Sequence, residues 1–103
     1  MNEPEHHKIC RVVGARIKEN RRKVNISQLD LAELAQLHPS IIGKIERGVS
    51  NPKLDTLARI ALALDTTVSE LVQDITADLV QPKAKLRVSA KDLLEARKAA
   101  SGE

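Results

Sequence analysis

The stretch Ser27 to Gly48, SQLDLAELAQLHPSIIGKIERG, carries two short helical patterns with a connection between them too tight to be a linker. Ser27 is placed to start the first helix, since its hydroxyl can accept from backbone N–H groups that have no partner within the helix. Asp30, three residues on, occupies the acid position of a capping box. Leu31, Leu34 and Ala35 then fall on one face at helical spacing, and Ala32 beside them leaves room for a second helix to cross closely. After Gln36 and Leu37, His38 and Pro39 restart the helix, because proline has no N–H to lose at the first helical position and its φ already suits one. Ile41, Ile42 and Ile45 continue the apolar face, and Gly48 ends it as the residue that enters a left-handed conformation most readily.

The run SQ, the pair LA, the two anchors Ile42 and Ile45 and the tail IERG resemble the Cro and phage-repressor type of helix-turn-helix, also called XRE-like. The resemblance extends upstream to GARIKENR (Gly14 to Arg21) and downstream through NPKLDTLARIALAL (Asn51 to Leu64), so that it covers roughly Gly14 to Val72. It implies an all-α fold, a five-helix lambda-repressor-like DNA-binding domain. It also implies an ion pair between Arg21 and Glu46 that locks the first helix to the third. One position departs from the pattern: the family usually has glycine in the turn, where this chain has Gln36. Either Gln36 takes a positive φ, at a cost of order 1 kcal/mol, or the turn has another shape.

Outward from this stretch, residues 1–8 read as a flexible polar lead. The first helix is expected over Ile9 to Lys23, with Ile9, Val13 and Ile17 on one face at i, i+4 and i+8 and Val12 beside them. Gly14 inside it costs roughly 1 kcal/mol against alanine, which close helix packing explains. Asn25, suited to a left-handed cap, ends it. Downstream, Val49 to Lys53 is a turn, Leu54 to Leu64 a helix with Leu57, Ile60, Ala61 and Leu64 on one face, and Thr67 or Ser69 opens a short fifth helix through Leu71 and Val72. The domain thus spans 9–74, and 75–103 forms a C-terminal extension. There Ala84, Leu86 and Val88 alternate with Lys83, Lys85 and Arg87, the period of a half-buried strand, and Ser89 with Asp92 marks a helix start running to about Ala100. A lone strand in a helical chain either pairs with its copy in a second subunit or pairs with nothing, leaving a flexible basic tail.

Composition narrows the function classes. The 103 residues suit one domain, and 42% apolar with 30% charged residues suit a soluble one. No apolar run approaches a membrane span and no signal-peptide pattern opens the sequence, so no membrane partner and a cytoplasmic location are expected. Cys10 alone can make no internal disulfide, and with His6 and His7 adjacent and His38 remote no metal site or cofactor is expected. Phe, Trp and Tyr are absent. Single-strand readers and base flippers stack bases on aromatic platforms, whereas contacts to a duplex require none. No nucleophile, base and orienting group occur together and no glycine loop cradles a phosphate, so an enzyme is not expected. The net charge is only +3, but residues 1–26 hold seven bases and three acids, 54–81 one base and five acids, and the tail from Pro82 six bases and three acids. Such polarity suits a surface that meets an anion and another that faces away.

The major groove of duplex DNA admits one α-helix, and 38–47 is the candidate. The resemblance assigns base contacts to Pro39, Ser40 and Lys44. Lys44 can donate to guanine O6 and N7, Ser40 can donate or accept, and Pro39 and Ile41 suit a thymine methyl, while Gly43 would let the backbone come close. The resemblance likewise implies phosphate contacts from Ser27, Gln28, Arg47, Ser50, Asn51 and Lys53, which position the helix without reading sequence. The resemblance further implies a homodimer on a palindromic operator with recognition helices about 34 Å apart, as a transcriptional regulator, repressor or autoregulator. Two other readings stand beside it: the antitoxin of a toxin–antitoxin pair, its extension covering a protein partner, and a protein-binding adaptor with weak DNA affinity. Steep loss of affinity with salt separates a DNA binder from an adaptor.

Overall fold

The computed structural model describes residues 6–76, 79 and 89–102, with His6 and His7 as backbone only. Among these residues the chain is all-helical: α1 (His6–Lys23), α2 (Gln28–Ala35), α3 (Pro39–Glu46), α4 (Leu54–Ala63), α5 (Val68–Leu71) and α6 (Ala90–Ala100). The strand expected over 83–88 lies outside the described residues. α1 begins at His6 rather than Ile9; nothing between them breaks a helix, and the nearest residue that would is Pro4.

One core joins α1 to α5. Val13 and Ile17 of α1 meet Leu31, Ala32 and Ala35 of α2, Ile42 and Ile45 of α3, Leu57, Ile60 and Ala61 of α4 with Leu64 just beyond, and Leu71 of α5. With no aromatic ring available, branched aliphatics fill this space, each worth about 1.5–3 kcal/mol when fully buried. Cys10 is buried as well, and burial raises its thiol pKa, partly offset by a backbone hydrogen bond. Two expected core positions are corrected: Leu34 is 60% exposed and Ile41 38%. The inward face of α2 is narrower than its leucines suggest, because Ala32, rather than Leu34, lies with Leu31 and Ala35 against the neighbouring helices.

The helix ends are built alike. α1, α2, α3 and α4 each close with a left-handed residue: Asn25 (φ 60°), Gln36 (φ 59°), Gly48 (φ 75°) and Asp65 (φ 55°). In each case the next residue donates back to a carbonyl five positions earlier: Ile26 to Arg21, Leu37 to Ala32, Val49 to Lys44 and Thr66 to Ala61. This is the Schellman arrangement, and it satisfies carbonyls the helix leaves over. Gln36 therefore takes the strained alternative, a left-handed conformation without glycine.

Two close approaches fix α1 against the rest. At Gly14, a Cβ would lie 3.0 Å from the Glu46 carbonyl oxygen and closer still to that of Ile45, so only glycine lets α1 cross the end of α3 there. Arg16 binds the other end of the unit: its Nη1 donates to the carbonyls of Leu71 (3.0 Å) and Gln73 (2.6 Å), closing the C-terminus of α5. α6 starts as expected, with a capping box between Ser89 and Asp92, and every residue of it is exposed.

Candidate nucleic-acid interface

α3 is anchored from one side and open on the other. Ile42 and Ile45 are buried to 1% exposure or less, while Pro39, Ser40, Lys44 and Arg47 are exposed. Ser40, Lys44 and Arg47 recur at helical spacing, which puts them along one outward stripe. Ile41, corrected above as a core residue, stands beside it.

The anchor is a buried carboxylate. Glu46, 8% exposed, accepts from Arg21 through two parallel bonds, Nε to Oε2 at 2.7 Å and Nη2 to Oε1 at 3.0 Å. Arg21 Nη1 also donates to the Ile26 carbonyl at 2.9 Å, and Gln28 Nε2 donates to Glu46 Oε1 at 3.0 Å. A two-pronged guanidinium–carboxylate pair resists rotation as well as separation. α1, the loop after it and α2 thereby all hold the C-terminal end of α3. Burial pushes the Glu46 carboxyl up, but the hydrogen bonds of Arg21 and Gln28 and the charges of Arg21 and Lys18 outweigh it, so its pKa lies below the usual glutamate value. Arg21 moves the opposite way, raised by its bond to Glu46. The ion pair implied by the resemblance is present.

The N-terminal end of α3 is set by His38, whose Nδ1 accepts from the Ser40 N–H at 3.1 Å, with Pro39 at the first helical position. α2, packed against α3, starts with Ser27. The Ser27 hydroxyl accepts from the Asp30 N–H and its own N–H donates to Asp30, both at 3.0 Å. These bonds hold the Asp30 carboxyl below its ordinary range.

The residues expected to meet phosphate flank α3 in the sequence. Ser27 and Gln28 open α2, Arg47 follows α3, and Ser50, Asn51 and Lys53 occupy the connection to α4. Asn51 and Lys53 are exposed and Ser50 is half-buried. Lys53 precedes α4 and its side chain makes no cap hydrogen bond to that helix. Gly43 is buried, with Arg47 Nη1 3.2 Å and Gln28 Oε1 3.8 Å from the place a Cβ would take. Its missing side chain leaves room for the ends of the Arg47 and Gln28 side chains. Sequence reasoning placed His38 only as the start of a helix and missed its bond to Ser40; a ring nitrogen two residues before a serine gives no periodic signal. Among the described residues there is no cluster of three or more His, Cys, Asp or Glu suited to a metal, and no helix is long and apolar enough to cross a membrane.

Comparison with known proteins agrees with this geometry. A family model described as Helix-turn-helix matches residues 17–71. The immunity repressor protein of Bacillus phage phi105 is 44% identical over 64 residues, covering 62% of this chain and 44% of the repressor's length. The control protein C.SmaI of Serratia marcescens is 38% identical over 64 residues, covering 62% of this chain and 76% of that protein. The crystal structure of the restriction-modification controller protein C.AhdI from Aeromonas hydrophila superposes with a TM-score of 0.59 at 37% identity, over 60% of this chain and 94% of the other. The chain thus spans less than half the length of the phage repressor. Through the match over residues 17–71 and the solvent-facing α3 held by Arg21 and Glu46, the chain belongs to the helix-turn-helix family of the Cro and phage-repressor type.

Proposed function

We propose that the protein is a sequence-specific transcriptional regulator, a repressor or autoregulator, that binds duplex DNA by laying α3 in the major groove. The observation that carries this reading is the contrast between the two sides of α3, with Ile42, Ile45 and Glu46 sunk into the domain and Ser40 and Lys44 facing solvent. Lys44 donates to guanine O6 or N7, Ser40 meets a neighbouring base edge, and Pro39 and Ile41 pack on thymine methyls. Arg47, Asn51, Lys53 and the residues opening α2 contact phosphate and fix the register. The relatives' names, an immunity repressor and two control proteins, support regulation of transcription.

Eight residues of α3 reach few base pairs, so specificity calls for two copies on a palindrome. A two-fold dimer is supported by α4, where Leu54 and Leu62 are 71% and 79% exposed with exposed Ala58 midway between them on the same face. Such a stripe is self-complementary, since a two-fold axis at Ala58 sets each Leu54 against the other copy's Leu62. Selection of bound sequences from a random duplex pool tests the proposal. Recovery of an inverted repeat with half-sites about one helical turn apart supports it; a pool that remains random after repeated rounds overturns it.

A further inference from the structure

Ser40 faces solvent with a hydroxyl already committed to a neighbour. His38 Nδ1 accepts from the Ser40 N–H at 3.1 Å, and Ser40 Oγ lies 2.8 Å from the same nitrogen. With Nδ1 accepting from that N–H, the ring is the tautomer protonated at Nε2, and in that tautomer the hydroxyl donates to the same nitrogen. The single proton of Ser40 therefore points back at the imidazole, and what Ser40 turns outward is oxygen lone pairs. A free serine hydroxyl rotates to donate or accept as its partner demands. This one is held as an acceptor.

In the major groove the distinction selects bases. Adenine offers N6–H and cytosine N4–H as donors, whereas guanine O6 and N7 and thymine O4 accept. We propose that His38 sets the base preference at the position Ser40 faces, by fixing the Ser40 hydroxyl as an acceptor and so favouring adenine or cytosine. His38 is then a positioning residue acting through Ser40. The proposal rests on the reading of α3 as the base-contacting helix.

The test uses the full chain and duplexes carrying the site recovered from a random pool, each changed at one base pair. Ser40→Ala identifies the position Ser40 faces, where the parent should prefer adenine or cytosine by roughly tenfold. His38→Asn puts a carbonyl oxygen where Nδ1 stands and remains a good helix cap, so it should keep that preference. His38→Gly removes the acceptor at little expense to the cap and should flatten the preference as far as Ser40→Ala does, with affinity for random duplex unchanged. The double variant His38→Gly/Ser40→Ala should lose nothing more. Full preference in His38→Gly, an equal loss on every sequence, or a parent preference for guanine or thymine at that position would each overturn the proposal. Lys44→Ala separates this failure from a wider one. If it alters preference at another base while His38→Gly alters none, α3 still reads DNA and only the role of His38 falls. If neither variant changes any preference, the base-reading assignment of α3 falls too.

Discussion

Gly14→Ala sets a gain in helix propensity against a clash, and the structure decides the sign. In an open helix the change should stabilise by about 1 kcal/mol. Here the added methyl meets the carbonyl oxygens of Ile45 and Glu46, and the Glu46 carbonyl carbon at 3.1 Å. These are backbone atoms at the end of α3 and cannot rotate aside. To restore ordinary contact, α1 and α3 must separate until the 3.0 Å approach to the Glu46 oxygen reaches at least 3.4 Å, and the Ile45 oxygen requires more. Overpacking of this kind typically costs about 1–3 kcal/mol, with an immovable neighbour at the upper end. Subtracting the propensity gain leaves a net loss of about 1–2 kcal/mol, or a melting temperature lower by roughly 5–15 °C for a domain of this size. Thermal unfolding followed by far-ultraviolet circular dichroism measures it, with exposed Ala15 as a control. Ala15→Gly should lower stability by about 1 kcal/mol through propensity alone, so opposite substitutions one residue apart should both destabilise. A Gly14→Ala protein melting at or above the parent temperature would refute the close crossing of α1 and α3.

Removing the Glu46 side chain as Glu46→Ala leaves the largely buried Arg21 without its carboxylate, with only the Ile26 carbonyl still accepting from it, and should cost about 3 kcal/mol, read from urea denaturation. Because Glu46 titrates below the usual glutamate value in the folded chain, its contribution is complete above the ordinary glutamate range and disappears as pH falls through the lowered folded value. The gap in melting temperature between parent and Glu46→Gln should therefore narrow on acidification below about pH 4; a gap constant with pH would count against the charged pair. Gln36→Gly relieves a left-handed residue that has a side chain and should stabilise by about 0.5–1 kcal/mol in the same denaturation assay. Lys44→Ala should weaken the selected site by about 1–3 kcal/mol and relax one base position, whereas Lys53→Ala should weaken all duplexes alike; fluorescence anisotropy on selected and random duplexes distinguishes the two patterns.

Much of this was legible in the residues because the informative signals are local. Ser27 with Asp30 and Ser89 with Asp92 announce helix starts whatever surrounds them, and both capping boxes form. The stripe Leu57, Ile60, Ala61 and Leu64 is buried as its spacing requires. Leu34 and Ile41 mislead because apolar type records what a residue tolerates and not which neighbour arrives; Ala32 takes the inward place on α2. The positive φ of Gln36 follows from the tight turn, but sequence leaves the turn's shape open when glycine is missing. Gly43 illustrates a further limit. Its bareness reads as room for DNA, and the sequence gives no sign that the ends of Arg47 and Gln28 lie beside it. The bond between His38 and Ser40, and the reach of Arg16 to the end of α5, depend on side-chain direction and carry no periodicity.

Dimethyl sulfate footprinting on the selected duplex tests the placement of α3 most directly, since the reagent methylates guanine at N7 in the major groove and adenine at N3 in the minor groove. Bound protein should protect guanine N7 in two patches about one helical turn apart, and Lys44→Ala should restore methylation of one guanine in each half-site while the other protections persist. Protection confined to adenine N3, or a Lys44→Ala footprint identical to that of the parent, would contradict a major-groove α3.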